Sequence, residues 1–142
     1  MIARVKWIDG MRFVGQSNSG HGVLIDGSAG DETAESSGAS PMELILLGLG
    51  GCASIDVVLI LQKARQAVED CEVELVAERA ETIPRVFTKV KMIFTVTGGG
   101  MSLDKVENAV QLSAEKYCSA SMMLGKSVDI THEVKIIDTA QF

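Results

Sequence analysis

Cysteine is scarce and wrongly spaced for cross-linking. Cys52, Cys71 and Cys118 are odd in number and far apart, so they offer neither a disulfide framework nor a Cys-x-x-Cys metal knuckle. Aromatic residues are equally thin, with one Trp, one Tyr and four Phe; the core must therefore be aliphatic, filled by Leu, Ile, Val, Ala and Met. Positive charge is short, since 13 Lys and Arg stand against 19 Asp and Glu for a net charge of -6. That balance argues against a nucleic-acid partner and against an anionic membrane surface. Met1-Ile2-Ala3-Arg4-Val5-Lys6-Trp7 already alternates like a strand, so no targeting segment is expected there. The expected compartment is a reducing cytoplasm, where free thiols persist.

What is present is globular. Apolar residues make up 46% of 142 residues and charged residues 23%, which fits one domain, 1–142, with a real core. One stretch invites a membrane reading: 44–61 carries a single charge, Asp56, at the lower length limit for a span. Gly48, Gly50, Gly51, Ser54 and Asp56 make it a poor span, so the expectation is a helix buried in a core or an oligomer interface, with no membrane partner.

Residues 5–26 read as short strands, with Asp9-Gly10 as a hairpin signal. Residues 27–39 are small, polar and acidic, and read as a loop. Ser40-Pro41-Met42-Glu43 is the clearest local signal. Ser is the N-cap, Pro the first helical residue and Glu the third, a capping box. The helix it starts is expected to run to about Glu69, with a first half that is apolar all round and therefore covered, in part by a partner subunit. Residues 71–81 alternate, with Cys71, Val73, Leu75 and Ala77 on one face. Residues 85–97 form a second strand after the Ile83-Pro84 turn. Ser102 caps a second helix whose apolar face is expected at Leu103, Val106, Val110, Ala114 and Tyr117. A short turn follows from Ser119, then a strand over 128–137. The order predicts an α+β fold, a long central buried helix packed on a mostly antiparallel sheet.

Chemistry concentrates at the thiols. Cys52 follows Gly48-Leu49-Gly50-Gly51, and three glycines inside a helix need a close neighbour to account for them. Cys52 is either a nucleophile in a tight pocket or a small buried hydrophobe. Asp56 lies one turn on, on the same face, and a carboxylate beside a thiol opposes thiolate formation. Cys118 stands where the second helix gives way to a short turn; a thiol at a helix N-terminus can be acidified, or the residue is structural. Cys71 reads as core. His132 alternates with Ile130 and Val134 and reads as a core or interface histidine, while His21 sits in a turn. The two histidines make no metal site. No phosphate loop or nucleophile elbow occurs, and no bound cofactor is expected.

Ser40-Pro41-Met42-Glu43-Leu44 leading into Gly50-Gly51-Cys52, with the later Ala114-Glu115-Lys116-Tyr117-Cys118-Ser119, resembles the paired-cysteine motifs of the OsmC/Ohr family of osmotically inducible and organic-hydroperoxide-resistance proteins. Val5-Lys6-Trp7 and Thr131-His132-Glu133-Val134 resemble its YhfA-like branch, so the likeness spans nearly the whole chain. It implies an intertwined homodimer with two interfacial sites. In the peroxidase members the first Cys attacks peroxide and the second condenses with it to a disulfide that an external dithiol reopens. Carried over, Cys52 is the peroxidatic thiol and Cys118 the resolving one.

This chain departs from that pattern around the thiol. Peroxidase members carry Glu directly after the helix-starting Pro, paired with an Arg beside the reactive Cys. Here Met42 follows Pro41 and Glu43 comes one residue later. One subgroup's Arg position is occupied by the acidic Asp31 and Glu32, leaving Arg12 as the N-terminal substitute. Ser119 stands where Pro usually follows the resolving Cys. The resemblance therefore supports two functions. One is a peroxidase for organic or hydrogen peroxide using Cys52, Cys118, Glu43 and Arg12. The other is a binding or redox-sensing protein with an apolar ligand in a dimer-interface pocket.

Overall fold

The computed structural model describes residues 1–28, 33 and 35–140. The chain forms two units, 1–47 and 48–142. In the first, β1 (Ala3–Asp9), β2 (Arg12–Ser17) and β3 (Gly22–Asp26) form an antiparallel sheet in sequence order. The Asp9-Gly10 turn forms as expected, with Gly10 at φ 46°, a conformation that favours glycine. The indole of Trp7 donates to the Gly10 carbonyl at 2.9 Å. Of the loop expected over 27–39, Asp31 and Glu32 lie outside the described residues. Its far end is held at Asp26, whose carboxylate accepts from the amides and hydroxyls of Ser28 and Ser37. The Ser28 hydroxyl and these amides hold Asp26 well below the usual carboxylate range.

Helix α1 (Pro41–Lys63) starts on the capping box. The Ser40 amide donates to Glu43 Oε2 at 2.7 Å, and the Glu43 amide donates to Ser40 Oγ at 3.2 Å. The helix ends six residues short of the expected Glu69. Arg65 adopts φ 57°; its amide donates to Gln62 O and that of Gln66 to Leu61 O, both at 3.0 Å. This is a Schellman ending built without glycine. Residues from Ala67 onward are freed to pair as a strand.

The second unit holds β4 (Ala67–Arg79), β5 (Phe87–Gly99), α2 (Leu103–Leu112), a π-helical turn (Ser113–Tyr117), α3 (Ser119–Leu124) and β6 (Asp129–Asp138). Its sheet order is β4-β5-β6. The β4–β5 pair is antiparallel as expected, but β6 runs parallel to β5, because the helical segment from α2 to α3 serves as a crossover. On β5, Val90, Met92, Phe94 and Val96 point inward in strict alternation. They share the core with Leu49, Ala53, Val57 and Leu61 of α1 and Val106, Ala109 and Val110 of α2. Ser102 caps α2 as expected, accepting from the Lys105 amide. The buried stripe of α2 differs from the expected one: Ala109 and Ser113 are buried, while Leu103 and Tyr117 are exposed.

Within the single chain α1 is covered on one face, and the remainder is the part for which a partner subunit is expected. Only Leu49, Gly50, Ala53, Val57 and Leu61 of this helix are buried, whereas Ile55 is 63% exposed and Leu59 is also exposed. By length and composition α1 could cross a membrane, with a mean hydropathy of 2.4 in its most apolar window. Its inward face nevertheless packs on protein. A Cβ at Gly50 would sit 2.8 Å from Leu75 Cδ1 and 3.3 Å from Val73 Cγ1 of β4. That close approach explains one of the three helical glycines; among the described residues, a Cβ at Gly48 or Gly51 would meet nothing within 4 Å.

Candidate active site

At about 100° per residue, Cys52 and Asp56 fall together on the flank of α1, between the buried stripe and the exposed apolar one. Both are half-buried. Cys118 approaches from the other side of the unit. The π-helical turn delivers it in extended conformation at the N-cap of α3, and π turns within helices recur at functional sites. The Cys118 amide donates to Ser113 O at 2.8 Å, and its sulfur accepts from the Ser121 amide at 3.3 Å. The side chain is fully buried.

The fold thus converges residues 66 positions apart in sequence. Cys52 Sγ, Cys118 Sγ and an Asp56 carboxylate oxygen all lie within 4.8 Å of one another. Both thiols are free. Ser113 supports the cluster from beneath: its hydroxyl lies 3.3 Å from Ala53 O and 3.3 Å from Asp56 Oδ2, tying the carboxylate to the α1 backbone. Sequence reasoning missed Ser113. The available signal was a small polar residue on the apolar stripe of α2, one turn after Val110, where burial demands a partner.

At Cys118 the two sequence readings are a thiol acidified by a helix N-terminus and a buried structural residue, and the electrostatics go against the first. Burial instead pushes the thiol up, more than the hydroxyl and amide of Ser121 pull it down, and the adjacent Cys52 sulfur adds to the rise. Cys71 keeps its structural reading, half-buried on the Val73–Leu75 face of β4, with burial and then Asp70 raising its thiol.

Arg12 and Glu43, read as candidate activating residues, each have a local task. Arg12 forms an ion pair with Asp9, which lowers the carboxyl and raises the guanidinium. Glu43 is spent on the capping box. Of the core and interface readings of His132, the core one does not hold: the residue is exposed on β6, stacked on Phe94 with ring centroids 6.3 Å apart, and burial of its inner side lowers its pKa. Beside the thiol cluster, a cavity of about 410 Å³ is lined by Asp56, Leu59, Ile60, Lys63, Leu112 and Tyr117.

A helix-borne thiol facing a second, buried thiol in an α+β unit defines a two-cysteine class of protein. Comparison with known proteins identifies which. The family model for OsmC-like proteins matches residues 33–133. Protein YhfA of Escherichia coli strain K12 is 52% identical over 137 residues, covering 96% of this chain and 98% of that one. The OsmC-like protein from Mycoplasma pneumoniae superposes with a TM-score of 0.81 at 13% identity, over 96% of each chain. An organic hydroperoxide resistance protein OsmC from Legionella pneumophila gives a TM-score of 0.68 at 17% identity, over 94% of this chain and 95% of that one; at these identities the two structures share the fold. The chain belongs to the OsmC-like family.

Proposed function

We propose that this protein is a thiol-dependent reductase of organic or hydrogen peroxides that works as a homodimer in a reducing, cytoplasmic setting. The observation that carries the reading is the convergence of the Cys52 and Cys118 sulfurs within 4.8 Å, close enough for a modest side-chain rotation to bridge them. The organic hydroperoxide resistance protein of the same fold supports the choice of substrate class. Cys52 is the half-exposed thiol of the pair and Cys118 the fully buried one, so incoming peroxide meets Cys52 first.

The Cys52 thiolate attacks the terminal oxygen of ROOH and the O–O bond breaks. The departing alkoxide takes up a proton and leaves as ROH, with Cys52 as sulfenic acid. Cys118 sulfur then attacks that sulfenic sulfur; the S–S bond forms, and hydroxide leaves with a proton as water. An external dithiol returns two electrons and two protons. The cavity beside Asp56, walled by Leu59, Ile60, Leu112 and Tyr117, suits the alkyl part of an organic peroxide.

The homodimer supplies the cover that α1 lacks. Ile55 and Leu59 are exposed beside Gly48 and Gly51, an apolar strip that a second copy would bury. A second reading, a slow redox sensor or a binder of an apolar ligand, is favoured by the cavity of about 410 Å³ beside Asp56 and by the burial that raises the Cys118 thiol. Reductant-coupled peroxide consumption separates the two. The enzyme reading expects turnover that disappears in Cys52→Ser. Turnover at background, or turnover that survives the substitution, overturns it; background turnover with an apolar ligand retained in native mass spectrometry supports the second.

A further inference from the structure

We propose that the reduced Cys52–Cys118 pair, together with Asp56, forms a binding site for a thiophilic divalent cation, of which Zn²⁺ is the best match. The donor set is two sulfurs and one carboxylate oxygen, all within 4.8 Å of one another. A tetrahedral zinc with Zn–S near 2.3 Å and Zn–O near 2.1 Å needs S···S of about 3.8 Å and S···O of about 3.6 Å. Contraction of about 1 Å, within the reach of side-chain rotation, closes the set on an ion. Thiolate sulfur selects zinc over magnesium or calcium.

The supporting geometry is also that of a ligand site. Cys52 and Asp56 are four residues apart on one helix, so a single rigid element presents two donors side by side. Ser113 contacts Asp56 at Oδ2, orienting the carboxylate; a second partner of this kind fixes a ligating group in place. Cys118 is pinned by the Ser121 amide. Three protein donors leave a fourth position for water.

The charge of the ion also matches the donor set, since a doubly charged cation balances two coordinating thiolates. Binding converts Zn²⁺, two thiols and a carboxylate into a bis-thiolate carboxylate complex, with two protons released to solvent. The same sulfurs cannot hold zinc and each other. Zinc therefore protects the pair from peroxide, and a peroxide strong enough to take two electrons from the pair closes the disulfide and expels the ion. Metal binding requires only that the thiols be reduced; its exclusion by the disulfide rests on the peroxide reaction proposed above.

The test uses the full-length protein, reduced and metal-free under anaerobic conditions, titrated with Co²⁺ and then Zn²⁺. The expected result is one Co²⁺ per chain with a thiolate-to-cobalt charge-transfer band and the intense visible bands of tetrahedral cobalt, lost when one equivalent of Zn²⁺ is added. Cys52→Ser and Asp56→Asn, each checked for native circular dichroism, weaken Zn²⁺ binding at least 100-fold in competition with a chromophoric chelator. Ser113→Ala weakens it roughly 10-fold. Absence of the charge-transfer band in the folded protein, or binding unchanged in Cys52→Ser, overturns the site. Peroxide-driven disulfide formation is followed separately by intact mass. Cobalt binding without a disulfide leaves the metal site standing and removes the peroxidase reading, and a disulfide without cobalt binding does the reverse.

Discussion

Replacing Gly51 by Leu reports directly on whether a second copy covers α1. Among the described residues a Cβ at Gly51 meets nothing within 4 Å, so the larger side chain enters open space there. The helix itself then gains: Gly in a helix interior costs roughly 0.8–1 kcal/mol relative to a good helix former. For a chain of this length a gain of about 1 kcal/mol corresponds to a rise in Tm of roughly 3–4 °C. A covered face gives the opposite sign. Forcing extra methylenes into a packed contact costs about 1–3 kcal/mol, and Leu adds four carbons to each of two symmetry-related positions. After the helix gain is subtracted, the expected net loss reaches about 2 kcal/mol per chain, with a dimer that dissociates at higher protein concentration. Gly50→Leu is the internal control, because its neighbours are known: Leu75 Cδ1 at 2.8 Å and Val73 Cγ1 at 3.3 Å make it destabilising in any oligomeric state. The assay is sedimentation equilibrium over a concentration series with thermal unfolding alongside. If Gly51→Leu raises Tm and leaves the association state unchanged while Gly50→Leu lowers Tm, the homodimer across this helix face is refuted.

Peroxide treatment of the wild type is expected to lower the intact mass by two hydrogens; Cys118→Ser should instead trap Cys52 as the sulfenic acid, read by its adduct with a dimedone probe, and an undiminished disulfide in that variant would implicate Cys71 instead. Phe94→Ala removes a fully buried ring at the centre of β5 and should cost about 3–5 kcal/mol in urea unfolding; a loss below about 1 kcal/mol would place the core elsewhere. Asp26 gives the pH dependence. Its folded pKa is depressed by Ser28 and Ser37, so its contribution is fully present well above the unfolded value of about 3.9 and declines as pH falls through and below that value. Asp26→Ala should therefore lower Tm at pH 7 and narrow the gap to wild type as the acid limb is entered; a gap that stays constant down to acid unfolding contradicts this origin.

What the sequence reveals and what it hides divide along the range of the interactions. The capping box at Ser40 and Glu43 was legible because all its partners lie within four residues, and the alternation of Cys71, Val73 and Leu75 because a strand's period is local. The end of α1 was hidden because its Schellman cap uses Arg65 where the recognisable residue is glycine, so nothing in the text separates helix from strand at 64–67. The direction of β6 was hidden for a different reason: Val128–Ile137 has the same pattern whether it pairs parallel or antiparallel, and only the crossover through α2 and α3 decides. The site combines both cases. Cys52 and Asp56 could be read as one helix face, and that reading set the carboxylate against the thiol. The π-helical turn at Ser113–Tyr117 has no sequence signature, yet it shifts the phase of everything after Ser113. It turns Tyr117 outward and buries Cys118, while Ser113 keeps the α2 stripe one turn after Val110 and lies against Asp56. The carboxylate that looks like an obstacle to thiol chemistry along the sequence becomes, once Cys118 is folded against it, the third member of a cluster. Its effect then depends on whether a proton, a peroxide or a cation occupies the space between the sulfurs.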